Sequence, residues 1–318
     1  MHVPNHLVSP EVAILGGVAA AALIVSAVVK LRKNRTLLRE RLPLAGALGA
    51  FVFAAQMVNY PLAEMGCSGH LVGGILLAAM LGPWLGFLTL TSVVTLQALL
   101  FADGGLMALG CNIINMAAIS CLVAYPLIFK PLMGGSTSPA RGFATSIISS
   151  IGALALGALA VVIENAASGG VALPVGEFMG AMLPVHLLIG AIEGAVVGAV
   201  VAYSLSHEPS LLDLYRTRTK ALVAHLTRAS IVIAVAALIT GGVLSLAASD
   251  EPDGLEWAIA KTTPQPATST GAHATADELQ EAIAIAPDYE GDYTGLVATA
   301  GILLLAWAIT PSRKKEVE

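Results

Sequence analysis

Long apolar runs recur from one end of this 318-residue chain to the other, most of them close to the ~20 residues that carry a helix across a bilayer. We read spans near 11–29, 43–62, 71–83, 85–101, 106–129, 143–163, 185–204, 229–248 and 294–310. A backbone in hydrocarbon must satisfy its own hydrogen bonds, so runs of this length and apolarity mean helices. Composition agrees: 56% of residues are hydrophobic and 12% charged, too apolar for a soluble domain. The fold class is therefore an all-α polytopic membrane protein. The stretch 71–83 is short and ends at Gly82-Pro83-Trp84, so it is expected to dip or tilt rather than cross alone.

Basic residues orient the chain. Lys30, Arg32, Lys33, Arg35, Arg39 and Arg41 lie between the first two spans, Lys130 and Arg141 after the fifth, and Arg216, Arg218, Lys220 and Arg228 after the seventh. Arg313, Lys314 and Lys315 end the chain. With the amino terminus outside a cell membrane and the carboxy terminus in the cytoplasm, all of these face inward, and only Lys261 of the 16 Lys and Arg lies outside. No positive charge precedes the first apolar stretch and a basic cluster follows it, so it reads as an anchor rather than a cleaved signal.

Three parts are expected: a seven-helix unit over 1–205, a cytoplasmic connector over 206–228, and a two-helix hairpin over 229–318. In the connector, Leu211, Leu212, Leu214, Leu222 and Leu226 suggest an amphipathic helix. The hairpin encloses an external loop near 249–293 with ten acids against Lys261. Solvation is the plain reading of that charge, with a flexible middle and a helical turn near Asp277–Ile285. Its negative field would also raise the local cation concentration.

Several functions are excluded. There is no G-x-x-x-x-G-K-[ST] and so no P-loop ATP hydrolysis, and no H-E-x-x-H of a zinc protease. The basic residues are an orientation signal without interleaved aromatics, which argues against nucleic acid. Cys67, Cys111 and Cys121 form no C-x-x-C; Cys67 reads as a small packing residue or a soft ligand.

The chemistry points to the chain start. Histidine at position two is too large for the initiator aminopeptidase, so Met1 is expected to be retained. Its α-amine, the His2 amide nitrogen and His2 Nδ1 can wrap a cation in fused five- and six-membered rings. Three nitrogens in a plane suit Ni(II) or Cu(II) rather than tetrahedral Zn(II). His70, in Gly66-Cys67-Ser68-Gly69-His70 on the same side, is the natural fourth ligand.

Inside the spans, Gln56 with Asn59 and Asn112 with Asn115 fall at i,i+3, and Gln97 adds a third helix. They act either as interhelical glue or as a shell orienting the ligands and the amino-terminal segment. Glu193 is an acid well inside a span, with His186 seven residues earlier on the same face. That pair is a structural relay, a packing feature or a functional site. Asp103 is expected to cap a helix starting at Leu106. Ala13, Gly17 and Ala21, with Gly16 and Ala20 beside them, form a small-residue face for internal packing or for a partner.

At these residues the chain resembles the nickel/cobalt substrate-binding (S) subunits of energy-coupling factor transporters. The resemblance rests on Met1-His2-Val3-Pro4, the run Phe51–Met57, Gly-x-Ser-Gly-His ending at His70, and Leu81-Gly82-Pro83-Trp84. It rests also on Gln97–Leu106, Ala108–Met116 and His186–Gly194, so it covers most of residues 1–205. The carboxy-terminal part resembles the small accessory subunit of these transporters through Pro252-Asp253-Gly254-Leu255-Glu256, which makes the whole a fused NikMN-type component. The resemblance implies that Met1 and His2 plug into a seven-helix core and, with His70, hold Ni(II), or Co(II) as the alternative, in a planar four-nitrogen set. It implies a scaffold transmembrane subunit and ATP-binding subunits on separate chains, and no enzyme activity here. Where nickel-type members read Asp-Gly after the proline, this chain has Asn5-His6. A secondary permease working without ATPases, or a metal sensor that does not transport, would be the other classes.

Overall fold

The computed structural model describes residues 1–318 apart from 63–64, 170–172, 216–219, 264–269, 290, 292 and 310–318. It is mostly helical. Among the described residues, six helical segments are long and apolar enough to cross a membrane. Five are α1 (Pro10–Arg32), α4 (Pro83–Leu100), α5 (Leu109–Met133), α6 (Pro139–Ala167) and α7 (Val175–His207). The sixth, Ala224–Ala247, overlaps α8 (Lys220–Gly242). Helix α2 (Arg35–Gln56) carries Arg35, Arg39, Glu40 and Arg41 in its first two turns and is less apolar for that reason. Helix α11 (Thr294–Ile309) is shorter.

Local chemistry sets the helix starts. Ser9 and Ser138 cap α1 and α6 by accepting from Val12 N and Arg141 N, and prolines stand at the first position of α1, α4 and α6. Helix α3 (Gly74–Leu81) is eight residues, about 12 Å at 1.5 Å per residue, and every residue in it is buried. It is too short to cross alone. The chain reverses into α4 at Gly82, whose φ of 86° suits glycine.

Small residues let the helices touch. Gly190, Gly194 and Gly198 of α7 face α6 so closely that a Cβ on Gly194 would lie 2.5 Å from Ile147 Cα. Helix α1 crosses the start of α5, where Gly110 lies against Gly16 and Gly17. The inward side of α1 is Ala13, Gly16 and Ala20, whereas Gly17 and Ala21 are exposed. The small-residue face is therefore internal packing, rotated by one residue from the Ala13-Gly17-Ala21 frame.

The connector starts as two short 3₁₀ turns, Pro209–Leu211 and Asp213–Tyr215; 216–219 lie outside the described residues, and from Lys220, through Leu222 and Leu226, it is helical as the start of α8. It docks on the end of the bundle opposite the amino terminus. Arg41, 1% exposed, donates to the carbonyls of Met80, Leu211 (3.1 Å) and Ser210 (3.3 Å). Asp213 accepts from Tyr125 Oη at 3.0 Å and pairs with Lys130 at 3.4 Å.

Helices α8 and α11 pack on α2 and on each other. Between them, α9 (Gly254–Thr262) and α10 (Ala272–Ile283) fold back over the amino-terminal mouth of the bundle. Ser68 N donates to Pro252 O at 2.8 Å, Ser249 N to Asn59 O at 2.8 Å, and Ile285 N to Leu100 O at 2.9 Å. The acidic segment is thus a folded cover over the described residues, not only a solvated loop; the stretch expected to be its flexible middle falls largely on 264–269, outside the described residues.

Candidate metal site

The first eight residues insert into the mouth because they alternate apolar plugs with polar groups that find partners. Met1, Val3, Leu7 and Val8 are buried. Val3 is held at both ends of its peptide: its N–H donates to Asn112 Oδ1 at 2.8 Å, and its carbonyl accepts from Asn112 Nδ2 at 3.1 Å and Gly105 N at 2.8 Å. Asn5 donates to Asp277 at 2.6 Å and Gln280 at 3.1 Å and accepts from Met107 N at 2.7 Å. Asn112 therefore fixes the amino-terminal segment.

His70 follows the strand β2 (Cys67–Gly69), which pairs antiparallel with β1 (Tyr60–Leu62). The loop behind it is clamped from two helices. Glu193 of α7 accepts from Val72 N at 2.7 Å and Gly73 N at 3.2 Å, and Gln56 of α2 donates to Val72 O at 2.8 Å. Gly73 has φ 80° and starts α3 without a side-chain cap of its own. His70 Nδ1 donates to Leu71 O at 3.2 Å, a tautomer that leaves Nε2 as a lone pair facing the site.

Three predicted ligands meet here. The Met1 α-amine lies 3.2 Å from Asp253 Oδ2, and His70 Nε2 lies 3.8 Å from the same oxygen. The rings of His2 and His70 stack at 5.3 Å between centroids and 11° between planes. His2 Nδ1 is 2.8 Å from Asp103 Oδ1, while Asp103 Oδ2 accepts from Tyr289 Oη at 2.7 Å. Asp103 thus holds His2 instead of capping a helix; α5 starts at Leu109 without a side-chain cap. Chelation through His2 Nδ1 requires the ring to give up Asp103. Among the described residues no group of three or more His, Cys, Asp or Glu side chains is arranged to hold a metal, and the α-amine adds a nitrogen beside the two imidazoles.

Electrostatics favour a cation. Burial pushes the Asp253 carboxyl up, but the α-ammonium beside it outweighs that and holds it well below the usual carboxylate range. Burial likewise opposes Asp103, and His2 and Tyr289 bring it down to about 2. Burial lowers His70, which favours the neutral ligand form. A cavity of about 450 Å³ opens beside these groups; carboxylates of Asp103, Asp250, Glu251, Asp253, Glu256 and Asp277 line it, with no Lys or Arg among the described residues.

The remaining candidates separate. Asn59 lines the cavity and its backbone carbonyl holds Ser249. Asn115 donates to Glu164 at 2.7 Å, and Gln97 is fully buried with neither amide atom bonded among the described residues. His186 and Glu193 do not bond to each other: His186 Nδ1 donates to Met182 O at 2.8 Å, and Glu193 serves the His70 loop. Cys67 is fully buried in β2, and burial raises its thiol, as a packing residue. Asp253 is a residue that sequence reasoning named within a motif without giving it a place at the site. Its signal was present as a capping box, because Asp253 Oδ1 accepts from Leu255 N and Glu256 N, each at 2.8 Å, while Glu256 accepts from Asp253 N at 3.1 Å.

Residues 2–211 match the family described as the cobalt uptake substrate-specific transmembrane region, CbiM. This chain belongs to the CbiM family. Residues 227–310 match the PDGLE domain, which contains Asp253. A protein of Haloquadratum walsbyi described as a metal transport protein is 37% identical over 67% of this chain and 93% of its own. The fused nickel transport protein NikMN of Rhodobacter capsulatus is 30% identical over 67% of this chain and 64% of its own length. A solved structure, a truncated transition metal transporter, superposes with a TM-score of 0.57 at 30% identity, over 65% of this chain and 99% of that one. Family membership makes this chain a multi-pass membrane component of nickel/cobalt transport, fused to a PDGLE domain, and not an enzyme.

Proposed function

We propose that the chain is the substrate-binding component of an ATP-driven Ni(II) importer of the energy-coupling factor type. Residues 1–205 form the seven-helix metal-binding unit, 206–228 the cytoplasmic connector and 229–318 the two-helix accessory part. The amino terminus and the site face outward and the carboxy terminus faces the cytoplasm. A scaffold transmembrane subunit and ATP-binding subunits on other chains supply the energy.

One observation carries this reading: the Met1 α-amine and His70 Nε2 converge on a single oxygen, with the His2 ring stacked on His70. The metal takes the α-amine, the deprotonated His2 amide, His2 Nδ1 and His70 Nε2. Asn112 orients the chain start; Gln56 and Glu193 orient His70. Four nitrogens in a plane favour Ni(II) by its electron count, and Co(II) is the alternative ion, supported by the family's description as a cobalt uptake region.

The test is ion uptake into vesicles. With scaffold and ATP-binding subunits present, ATP is expected to drive Ni(II) accumulation, and His70→Ala is expected to abolish it. Uptake that persists with this chain alone would instead mark a secondary permease.

A further inference from the structure

The proposed chelate leaves a charge unbalanced. The ion brings two positive charges and the deprotonated His2 amide returns one negative; an amine and two neutral imidazoles return none. One positive charge remains where Met1 is 3% and His70 6% exposed. An uncompensated charge there is costly, so a carboxylate should stand close.

Two carboxylates touch the ligands, and they differ. Asp103 contacts His2 Nδ1, the atom whose lone pair the chelate uses, so that contact is lost on binding. Asp253 contacts the Met1 amine. A primary amine on a metal keeps two N–H groups, so the contact with Asp253 survives coordination. Asp253 is also fixed independently of any metal. Its other oxygen caps α9, Ser68 N holds the carbonyl of Pro252, and a Cβ on Gly254 would lie 2.6 Å from Val185 Cγ1, so α9 sits against α7 without slack.

We infer that Asp253, a residue of the accessory part, supplies the negative charge that neutralises the bound dication, so that the metal site is electrostatically complete only while residues 250–262 are docked on the bundle mouth. This rests on the proposed Met1–His2–His70 chelate. It gives the fused arrangement a physical purpose, since the fusion keeps the carboxylate at the site at no cost in association.

The experiment is Ni(II) titration of the full chain carrying Asp253→Asn, with His70→Ala as control. Asparagine caps a helix about as well as aspartate, so this change removes charge and keeps the cap. Asp253→Ser, another good cap, guards against a folding defect peculiar to Asn. We expect Ni(II) binding at least tenfold weaker in both, with the thermal midpoint within a few degrees of wild type and hydrogen exchange over 254–262 unchanged. Unchanged or tighter binding overturns the inference, as does a loss that appears only together with release of α9 in both variants. If His70→Ala abolishes binding while Asp253→Asn does not alter it, this inference alone fails. If neither variant alters it, the chelate itself is wrong.

Discussion

The two ends of the bundle solve the problem of buried charge in opposite ways. At the amino-terminal mouth, carboxylates line an open cavity and are met by an α-amine and two histidines, groups that can exchange a proton for a metal. At the other end Arg41 is wrapped by three carbonyls, and Asp213 is held by Tyr125 and Lys130. A dication is attracted to the first arrangement and meets fixed, mutually satisfied charges at the second. On the proposed function, one end receives the cation and the other holds helices together.

Substitutions can break that contrast. The largest expected effect is on binding: His70→Ala should lower Ni(II) affinity at least a hundredfold, measured by titration, with the opposite end untouched. Glu193→Ala comes next. It strands two buried N–H groups behind His70, each costing about 1–3 kcal/mol, and should weaken Ni(II) binding about tenfold while lowering the thermal midpoint. Glu193→Gln, which retains an acceptor, should fall between. Arg41→Met, at the opposite end, should cost about 1–3 kcal/mol of stability and leave Ni(II) affinity unchanged; a loss of affinity there would mean that the two ends are coupled.

The smallest effect is with pH, in the metal-free protein. His70 has a depressed folded value, so its contribution is full above 6.5 and is lost as pH falls through that value toward the folded one. Asp253 and Asp103 are depressed too, Asp103 to about 2. Their contributions are full above 3.8 and are lost only well below it. The cover should therefore stay docked at pH 5. A thermal-midpoint profile in which His70→Ala flattens the slope just below pH 6.5, and Asp253→Asn only the slope below pH 4, checks both.

What was readable from sequence follows from what is local in the chain. Apolar runs mark α1 and α4–α7 because a spanning helix is continuous. The brevity of α3 showed in Gly82-Pro83-Trp84. Met1, His2 and His70 stood out because few residue types offer nitrogen to a metal, and the structure brings them into one cluster. Contacts between distant segments were not legible. Asp253 lies 252 residues from the amine it holds, and no periodicity reports that. Its capping-box pattern marked a helix start without saying where the second carboxylate oxygen would point. Asp103 looked like a cap because acids before helices often are, and its contact with His2 required knowing that the chain start folds inward. Of the connector leucines, Leu222 and Leu226 lie in α8 as their spacing suggested, whereas Leu211, Leu212 and Leu214 lie in and between turns that begin at Pro209.

The central claim is that the chain's own α-amine is a metal ligand. The most direct measurement is Ni(II) titration of protein whose Met1 α-amine is blocked by acetylation, its start checked by intact mass. The account predicts that high-affinity binding disappears while the folded protein and its thermal midpoint are retained. Binding with unchanged affinity and stoichiometry would contradict it.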